Sequence, residues 1–344
     1  MDPNHLPVDD SSAYHDALAQ CVDHWGLVLD KTQLIRDGIN HVYGSETRGG
    51  AQVIVRISDG AVRSEAELSG ELLWLAHLRR NGCMVTHPIP SQRGELLETI
   101  ERDDAVLHVA CFERFPGKHL HKNSVDEWND QLLLDLGRQI GRIHRLSDEF
   151  HLPPDKDRKQ WFDVEETHFP DPLLATYNAE VVDVMQAFLK RIRERPSQPR
   201  HYGLVHRDIH AGNFLVDAGK IEIIDFDLGC YGWRTMDFAT LLFARYYFPT
   251  ISVPNASPKL AGACLALLVQ GYREEYTLDD EQLETVADMV LIHSTLNYVI
   301  VRPAIEHWQA AIAEGDGVSV AQSMVWLEKL WLSGHQLEVD LSQV

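Results

Sequence analysis

The stretch GLVHRDIHAGNFLVDAGKIEIIDFDLGCYGWRTMDFATLL, residues 203–242, places two acidic loops next to short apolar strands. Asp208 and Asn213 lie five residues apart in an H-x-D-x-x-x-x-N loop, and Asp225 ends the apolar run IEIID. A phosphoryl transfer needs a carboxylate that orients and deprotonates the attacking hydroxyl, and oxygen ligands for a Mg²⁺ ion that neutralises charge on the phosphates. The three residues are of these types, and we expect a hairpin in the chain to bring them together.

The chain before this stretch predicts a small, strand-rich lobe. Apolar residues at helical spacing over residues 12–26 predict a short leading helix, and a leucine stripe over 63–82 predicts a longer one. Alternating and β-branched residues predict five strands. Two of them lie in 33–47 around a turn, and the others lie in 51–58, 94–100 and 105–115. The lobe is expected to end at the breaker pair Pro116 and Gly117.

The chain after Gly117 predicts a larger and mainly helical lobe. Apolar residues recur at intervals of three and four over 125–147 and 180–195, and helices are again predicted from about residue 235 onward. Prolines interrupt much of the segment 151–200. The run 283–303 is amphipathic but too often interrupted by polar groups for a membrane span, so we expect a core helix there.

Composition and charge exclude several classes of protein. The 344 residues carry a formal charge of −21, from 52 acidic and 31 basic residues, so a general nucleic-acid surface is not expected. An acidic surface would concentrate a cationic substrate, although acidity also simply keeps proteins soluble. No apolar run is long enough for a membrane helix, and the start MDPNHLPVDDSS lacks the features of a signal peptide, so we expect a cytoplasmic protein without membrane contact. The five scattered cysteines are expected to be buried or idle thiols.

Five segments, taken in chain order, carry the motifs of a known family. VHRDIHAGN (205–213) and IIDFDLGCYGWRTMDFATLL (223–242) resemble a catalytic loop and a metal loop. Three more fall in the expected order: ELLWLAHLRRNG (71–82), HPIPSQRGELL (87–97) and FERFPG (112–117). Together they resemble the aminoglycoside phosphotransferase and choline kinase-like family, and within it the bacterial stress-response kinase A and homoserine kinase type II subgroup.

This resemblance implies an α+β, bilobal protein-kinase-like fold. A small β-rich N-lobe with one main helix would span residues 1–112, a hinge 113–117, and a larger, mainly helical C-lobe 118–344. It also implies an enzyme that uses ATP and Mg²⁺ to transfer a γ-phosphoryl group to a hydroxyl group.

The resemblance further implies roles for the acidic loops. Asp208 would be the catalytic base, while Asn213 and Asp225 would hold Mg²⁺ between the nucleotide phosphates. Asp227 would assist at the metal or lie just behind it. Asp237 matches a later aspartate of the family, which is expected to brace the catalytic loop.

A phosphate-binding ion pair is also implied by the resemblance. The third strand of this fold normally provides a lysine to the α- and β-phosphates, and a helix glutamate holds it. The corresponding residue here is Arg56, with Glu71 as its expected partner and Glu67, one turn earlier, as the competitor. Arginine keeps the positive charge, but its planar head is not equivalent to an ammonium group.

The remaining nucleotide contacts are expected in a turn and in the connector between the lobes. The turn DGIN, residues 37–40, would cover the phosphates through Gly38 and Asn40, although Gly38 is equally typical of an ordinary hairpin. Backbone groups of Glu113 and Phe115 would contact the adenine.

Arg207 departs from the family pattern, which commonly has glycine at this position. It makes the loop read HRD, as in protein kinases, yet only nine residues separate Asp227 from Asp237. This leaves no room for an activation loop, so regulation by loop phosphorylation is not expected. We expect Arg207 to pair with a neighbouring acid, with contact to the substrate as the alternative. His206 is expected to fix the loop by hydrogen bonding and not to transfer a proton.

The phosphate acceptor stays open at this point. Aminoglycosides, amino alcohols, homoserine-like amino acids and other metabolites are candidates, and the acidic balance favours cationic ones. A protein serine or threonine is an alternative, because the subgroup is associated with protein phosphorylation. A nucleotide-binding pseudokinase scaffold is a third hypothesis, which only Arg56 supports. The acceptor pocket is expected to form from residues 151–200 and the C-terminal helices.

Overall fold

The chain folds into two compact units. The computed structural model describes residues 11–101, 105–121, 124, 126–163, 178–195, 198–247, 257–295, 297–298, 317–334 and 338–344. Of these, the residues up to Gly117, with Glu149–Arg158 and Glu222–Asp227, form the first unit. The second holds Lys118–Asp148, Lys159–Ile221 and the chain from Leu228 onward. The lobe boundary at residues 113–117 stays a prediction.

The first unit is built on a five-stranded antiparallel sheet in the order β1-β2-β3-β5-β4. Its strands are β1 Gln33–Arg36, β2 Asn40–Glu46, β3 Gln52–Asp59, β4 Glu98–Glu101 and β5 Val106–Glu113. Two short helices precede the sheet, α1 Ser11–Gln20 and α2 Val22–Trp25. Alternate residues of β3, among them Val53, Val55 and Ile57, are buried in one core cluster with Leu18 and Trp25 of these helices. The burial follows from the period of two of a half-buried strand.

The fourth strand begins later than predicted. Strand structure was expected over 94–100, but β4 starts at Glu98. Gly94 has a φ of +87°, and its N–H donates to the Ser91 carbonyl at 2.9 Å. The Ser91 N–H in turn donates to the Glu95 carbonyl at 2.8 Å. This turn takes backbone groups that a strand would need, so the predicted start at residue 94 is wrong.

The main helix of the first unit is α3, Glu65–Arg80, which follows the leucine stripe predicted over 63–82. Ser64 and Glu67 form a capping box that satisfies backbone N–H groups at its start. Leu68, Leu72 and Leu75 are buried along one face. The predicted helix is therefore confirmed, with packing of this apolar face as its main source of stability.

The second unit is mainly helical. Two of its helices cross closely at glycines: a Cβ on Gly137 would overlap the Leu268 carbonyl oxygen, and one on Gly271 would overlap that of Leu134. Residues 286–295, within the predicted core helix 283–303, are helical, whereas 299–303 lie outside the described residues. The labelled helices are α4 Asp130–Asp148, α5 Ala179–Arg193, α6 Met236–Leu242, α7 Pro258–Arg273, α8 Asp280–Leu283 and α9 Gly317–Leu332. With the sheet of the first unit, they give the predicted α+β fold class.

Four short strands hold the loops of residues 203–242. Strand β6 Tyr202–Val205 pairs antiparallel with β9 Cys230–Trp233, and β7 Phe214–Asp217 pairs with β8 Lys220–Ile223. The β7–β8 turn contains Gly219 in a left-handed conformation. Residues 206–213 connect β6 to β7, so a strand fixes each end of the predicted catalytic loop.

All five cysteines are buried free thiols. Burial raises the pKa of the Cys111 thiol to about 12, so this group stays protonated and unreactive. Among the described ranges, no helix combines the length and apolarity that crossing a bilayer requires.

Candidate active site

The loop of residues 206–213 begins with a strained backbone. Arg207 has a φ of +69°, which residues with a side chain rarely adopt. The Asp237 carboxylate accepts hydrogen bonds from the backbone N–H groups of His206 at 3.1 Å and Arg207 at 2.5 Å. Thr240 Oγ1 donates to the Arg207 carbonyl at 2.8 Å. The left-handed backbone explains why glycine suits this position, and Asp237 and Thr240 hold the arginine in the same conformation.

A buried histidine supports Asp237 from behind. His144 of α4 lies with Nε2 2.9 Å from Asp237 Oδ2 and Nδ1 2.9 Å from the Tyr272 hydroxyl. Burial lowers the pKa of His144 by more than Asp237 raises it, so the imidazole is neutral. Burial raises the pKa of the Asp237 carboxyl, but the hydrogen bond from His144 and the other interactions with nearby groups lower it by a larger amount. The carboxylate therefore stays ionised. The neutral ring therefore donates to Asp237 and accepts from Tyr272.

The Asp208 carboxylate is oriented through one of its two oxygens. The Asn213 side-chain nitrogen lies 2.8 Å from Asp208 Oδ2 and 2.9 Å from the Asp208 carbonyl oxygen. His210 Nδ1 accepts a hydrogen bond from the Gly212 N–H at 2.9 Å, so a neutral His210 carries its proton on Nε2. This Nε2 lies 3.5 Å from Asp208 Oδ2. Among the residues that the structure describes, none donates a hydrogen bond to Oδ1. This oxygen is therefore available to a ligand.

The surroundings also keep Asp208 ionised. Burial raises the pKa of its carboxyl, but the hydrogen bond from His210 and the electrostatic interactions with His210, His293 and His206 lower it by more. The pKa of Asp208 thus lies below the usual value for an aspartate. An ionised carboxylate with one free oxygen can accept a proton from a hydroxyl group.

The metal-loop residues Asp225 and Asp227 belong to the first unit, where cationic and amide groups face them. Arg36 Nη1 lies 3.2 Å from Asp225 Oδ2, Asn40 Nδ2 lies 3.0 Å from Asp227 Oδ2, and Arg63 Nη2 lies 3.8 Å from the same atom. Burial and the neighbouring charge of Asp227 raise the pKa of Asp225 well above its usual range. A half-buried carboxylate pair of this kind favours a bound cation.

The residues predicted to bind a metal offer suitable donor atoms. Mg²⁺ prefers oxygen ligands, which the carboxylates of Asp225 and Asp227 supply. In the second unit, the Asn213 nitrogen is committed to two acceptor oxygens of Asp208, so the Asn213 side-chain oxygen is left as a ligand atom. A bound ion would neutralise charge on nucleotide phosphates.

Arg56 is buried on β3 and pairs with Glu71 of α3. Its Nη1 and Nη2 donate to Glu71 Oε1 and Oε2 at 2.8 and 2.9 Å. Glu67, the competing partner, instead accepts from the Ser64 N–H and hydroxyl in the capping box. The Arg56 Nε–H is buried and has no hydrogen-bond partner among the described residues, which fits a position next to a ligand.

Removing the Glu71 carboxylate is expected to destabilise the protein strongly. Glu71→Ala leaves the Arg56 guanidinium buried without its counter-charge, and breaking a buried pair in this way costs about 3–5 kcal/mol. Urea unfolding measures the loss. Glu46→Ala, which removes an exposed pair with Lys31, is the control and is expected to cost much less. Equal losses in the two variants would contradict the buried-pair interpretation.

The other residues predicted to bind the nucleotide lie in the β1–β2 turn and after β5. A Cβ on Gly38 would meet open space and its φ is not left-handed, so folding does not require glycine there. The Glu113 N–H donates to the His87 carbonyl at 2.9 Å, so its own carbonyl is the backbone group it can offer to adenine. Phe115 is half-buried in the chain that follows. Their roles in nucleotide binding stay predictions.

Glu222 of β8 provides a pH-dependent test of the interior of the first unit. Burial raises the pKa of its carboxyl to about 7, against the opposing charge of Arg79 at 3.7 Å. Because the pKa of Glu222 is higher in the folded than in the unfolded state, the folded protein binds more protons between pH 4.5 and about pH 7. Stability therefore falls as the pH rises through this range. Glu222→Gln mimics the protonated form. Its free energy of unfolding relative to that of the natural sequence is therefore expected to increase by about 1–3 kcal/mol when the pH is raised from about 5 to about 8. Urea unfolding at both pH values checks this, and a pH-independent difference would contradict it.

A match to a known family spans most of the chain and includes both loops. The model of the phosphotransferase enzyme family (APH) matches residues 31–277. The chain belongs to this family. This phosphotransferase is 27% identical over 293 residues to amicoumacin kinase of Bacillus subtilis (strain 168), covering 84% of this chain and 86% of the relative. Family membership confirms the resemblance of the sequence motifs and the assignment as an enzyme.

Solved structures of other kinases share the fold of the phosphotransferase. Amicoumacin kinase hAmiN, in complex with AMP-PNP, Ca²⁺ and Ami, has a TM-score of 0.83 at 23% identity, covering 98% of this chain and 99% of that one. The microcompartment-associated aminopropanol kinase has a TM-score of 0.66 at 21% identity, covering 94% and 98%. At these identities the likeness concerns the fold alone, and it confirms the kinase-like fold that the sequence predicted.

No sequence motif assigned a role to Arg36, His144 or His210. His210 stands two residues after Asp208, so its place in the loop was a signal that could have been used. Arg36 adjoins the predicted phosphate-covering turn, which is a weaker signal. His144 reaches Asp237 only through the packing of α4, for which the local sequence has no signal.

Proposed function

We propose that this phosphotransferase transfers the γ-phosphoryl group of ATP, with Mg²⁺, to a hydroxyl group of a small molecule. One observation carries the proposal: the ionised Asp208 carboxylate has Oδ2 held by Asn213 and His210, while Oδ1 accepts no hydrogen bond among the described residues. A general base needs a carboxylate held in place with one oxygen open to its substrate.

In this proposal the oxygen of the acceptor hydroxyl attacks the γ-phosphorus, and Asp208 Oδ1 accepts the proton that this hydroxyl loses. The bond between the γ-phosphorus and the β–γ bridging oxygen breaks, and ADP leaves with that oxygen. Asn213, Asp225 and Asp227 would bind the Mg²⁺ ion, which would neutralise charge on the phosphates. Positioning and electrostatic stabilisation supply most of the rate enhancement in reactions of this class.

The proposed ATP site uses residues of the first unit. Arg56, fixed by Glu71, binds the phosphates, and its unpartnered Nε–H supports this role. The turn with Gly38 and Asn40 covers the phosphates. The Glu113 carbonyl and a backbone group of Phe115 bind adenine. A cytoplasmic location, where ATP is supplied, belongs to the same proposal.

We propose a cationic small molecule, with an amino alcohol as the first candidate, for the acceptor. Relatives are named amicoumacin kinase and aminopropanol kinase, and aminopropanol carries an amine beside its hydroxyl. The net charge of −21 favours a cation by long-range attraction. Part of the segment predicted to form the acceptor pocket, residues 164–177 and 196–197, lies outside the described residues.

The two alternative functions receive less support. The relatives named above are kinases of small molecules, so they give no support to a protein serine or threonine acceptor. A pseudokinase scaffold has no need of Asp208, Asn213 and Asp225, and half-buried acids such as Asp208 and Asp225 are costly to keep without a function.

A measurement of ADP formation tests the proposal. The protein is supplied with ATP, Mg²⁺ and, in turn, aminopropanol, amicoumacin, homoserine, an aminoglycoside and a generic protein. We expect a cationic small molecule to raise ADP formation, and chelation of the metal or the Asp208→Asn variant to abolish the increase. ADP formation that depends neither on an acceptor nor on Asp208 would contradict the proposal.

A further inference from the structure

A β-bulge in β1 brings Arg36 into one row with Arg56. The register of β1 shifts between Leu34 and Arg36, so that Arg36 pairs with Val42 of β2. Val42 pairs in turn with Arg56 of β3. Directly opposite residues on neighbouring antiparallel strands point to the same face of the sheet, so the two arginines share a face. Bulges re-aim side chains in this way and are frequent next to functional sites.

Without the bulge, Arg36 would point to the opposite face. A regular register continued from Leu34 and Tyr43 would place Arg36 opposite His41. The His41 ring stacks on Tyr14 of α1 at 3.5 Å, on the side of the core. An arginine there would lie next to the stacked rings of His41 and Tyr14, away from Arg56. The inserted residue therefore decides that this guanidinium lies on the face of Arg56.

On that face Arg36 forms an ion pair that can be exchanged. Its Nη1 lies 3.2 Å from Asp225 Oδ2, and its side chain is 67% exposed, against 26% for Asp225. Exposed pairs of this kind contribute little to stability, because water solvates both partners. A phosphate offers a guanidinium stronger, two-bonded contacts than a single carboxylate oxygen does.

Arg56, in contrast, is held in a fixed pair. Both of its terminal nitrogens donate to Glu71, and the pair is buried. The residue at the usual lysine position thus has its terminal guanidinium edge directed at the helix glutamate. Arg36, a more exposed cation on the same face, would add a second phosphate contact to the one that the Arg56 Nε–H can make.

We infer that Arg36 is a second phosphate-binding residue of the nucleotide site, paired with Asp225 in the free protein and with nucleotide phosphates when Asp225 binds a divalent cation. The inference rests on the proposed function, since it requires ATP in the first unit. The exchange follows from competition between two cations for Asp225. A carboxylate oxygen that coordinates a metal ion binds the Arg36 guanidinium less well.

Calorimetric titration with AMP-PNP and Mg²⁺, and separately with adenosine, tests this role in the full chain. Arg36→Ala is expected to bind AMP-PNP about 10- to 100-fold more weakly, the loss of one or two charge-assisted hydrogen bonds. Adenosine affinity is expected to stay unchanged, because adenosine has no phosphate. Arg48→Ala is the matched control, since Arg48 is an exposed arginine of the same unit that pairs with exposed Asp23, and it is expected to change neither affinity.

A titration with Mn²⁺ alone provides a second readout. Arg36→Ala is expected to bind Mn²⁺ at least as tightly as the natural protein, because a competing cation has been removed. Unchanged AMP-PNP affinity, an equal loss for AMP-PNP and adenosine, or weaker Mn²⁺ binding would each overturn the inference. If the natural protein itself binds no AMP-PNP with Mg²⁺, the proposed function fails and the inference with it, which is distinct from a loss confined to the variant.

Discussion

Asp208→Asn is expected to lower the turnover rate by about 10²- to 10⁴-fold, the range that a positioned general base contributes. Asparagine keeps the size of the side chain but cannot accept a proton from the acceptor hydroxyl at Oδ1. The rate of ADP formation at saturating ATP and acceptor measures the effect. Binding of AMP-PNP is expected to be retained, because the nucleotide contacts proposed above come from the first unit.

Asp217→Asn is the matched control for this prediction. Asp217 is an exposed carboxylate at the end of β7, close in sequence to Asp208 but with no role in the proposed chemistry. Its substitution is expected to leave the rate unchanged. A loss of less than about 10-fold in Asp208→Asn would contradict the base role, since even a weak general base contributes more.

Asp225→Asn is expected to lower the turnover rate by at least about 10²-fold at a fixed Mg²⁺ concentration, because a metal ion supplies several kcal/mol of charge stabilisation in the transition state. The apparent Mg²⁺ requirement is expected to rise in the same variant. Rates measured across a series of Mg²⁺ concentrations show both effects.

The effect of Asp225→Asn on stability can be separated from its effect on the turnover rate. Burial and the charge of Asp227 raise the pKa of Asp225, so the folded protein holds its charged form at a cost, and a neutral asparagine is not expected to destabilise the fold. Asp23→Asn, which neutralises an exposed aspartate of the same unit, is the control and is expected to keep the natural rate. An unchanged rate and Mg²⁺ requirement in Asp225→Asn would contradict its role as a metal ligand.

Much of the fold could be predicted because its signals are local. The β-branched run of β3 and the leucine stripe of α3 each show the period of the element that they form. The loops around Asp208 and Asp225 stand between apolar strands, and their order in the chain marked the family. The strand boundary that differs most from the prediction, at residue 94, depended on a turn closed by Gly94, which the apolar run after it concealed.

The rest of the candidate site depends on register and packing, which local sequence does not encode. The row of Arg36 and Arg56 exists only because of a bulge in β1, and a one-residue shift in register changes the face of every side chain that follows. His144 supports Asp237 across 93 residues of chain, through the placement of a helix. The left-handed backbone of Arg207 was signalled only indirectly, by the glycine common in the family at that position.

Transfer of the γ-phosphoryl group to a small-molecule hydroxyl is tested most directly by the mass of the acceptor after reaction with ATP and Mg²⁺. The acceptor that best stimulates ADP formation is analysed by mass spectrometry, and phosphorus-31 NMR locates the new bond. We expect the acceptor to gain one phosphoryl group on its hydroxyl oxygen with the natural protein and none with Asp208→Asn. ATP consumption that leaves the acceptor unmodified, or equal product with Asp208→Asn, would contradict the proposed function.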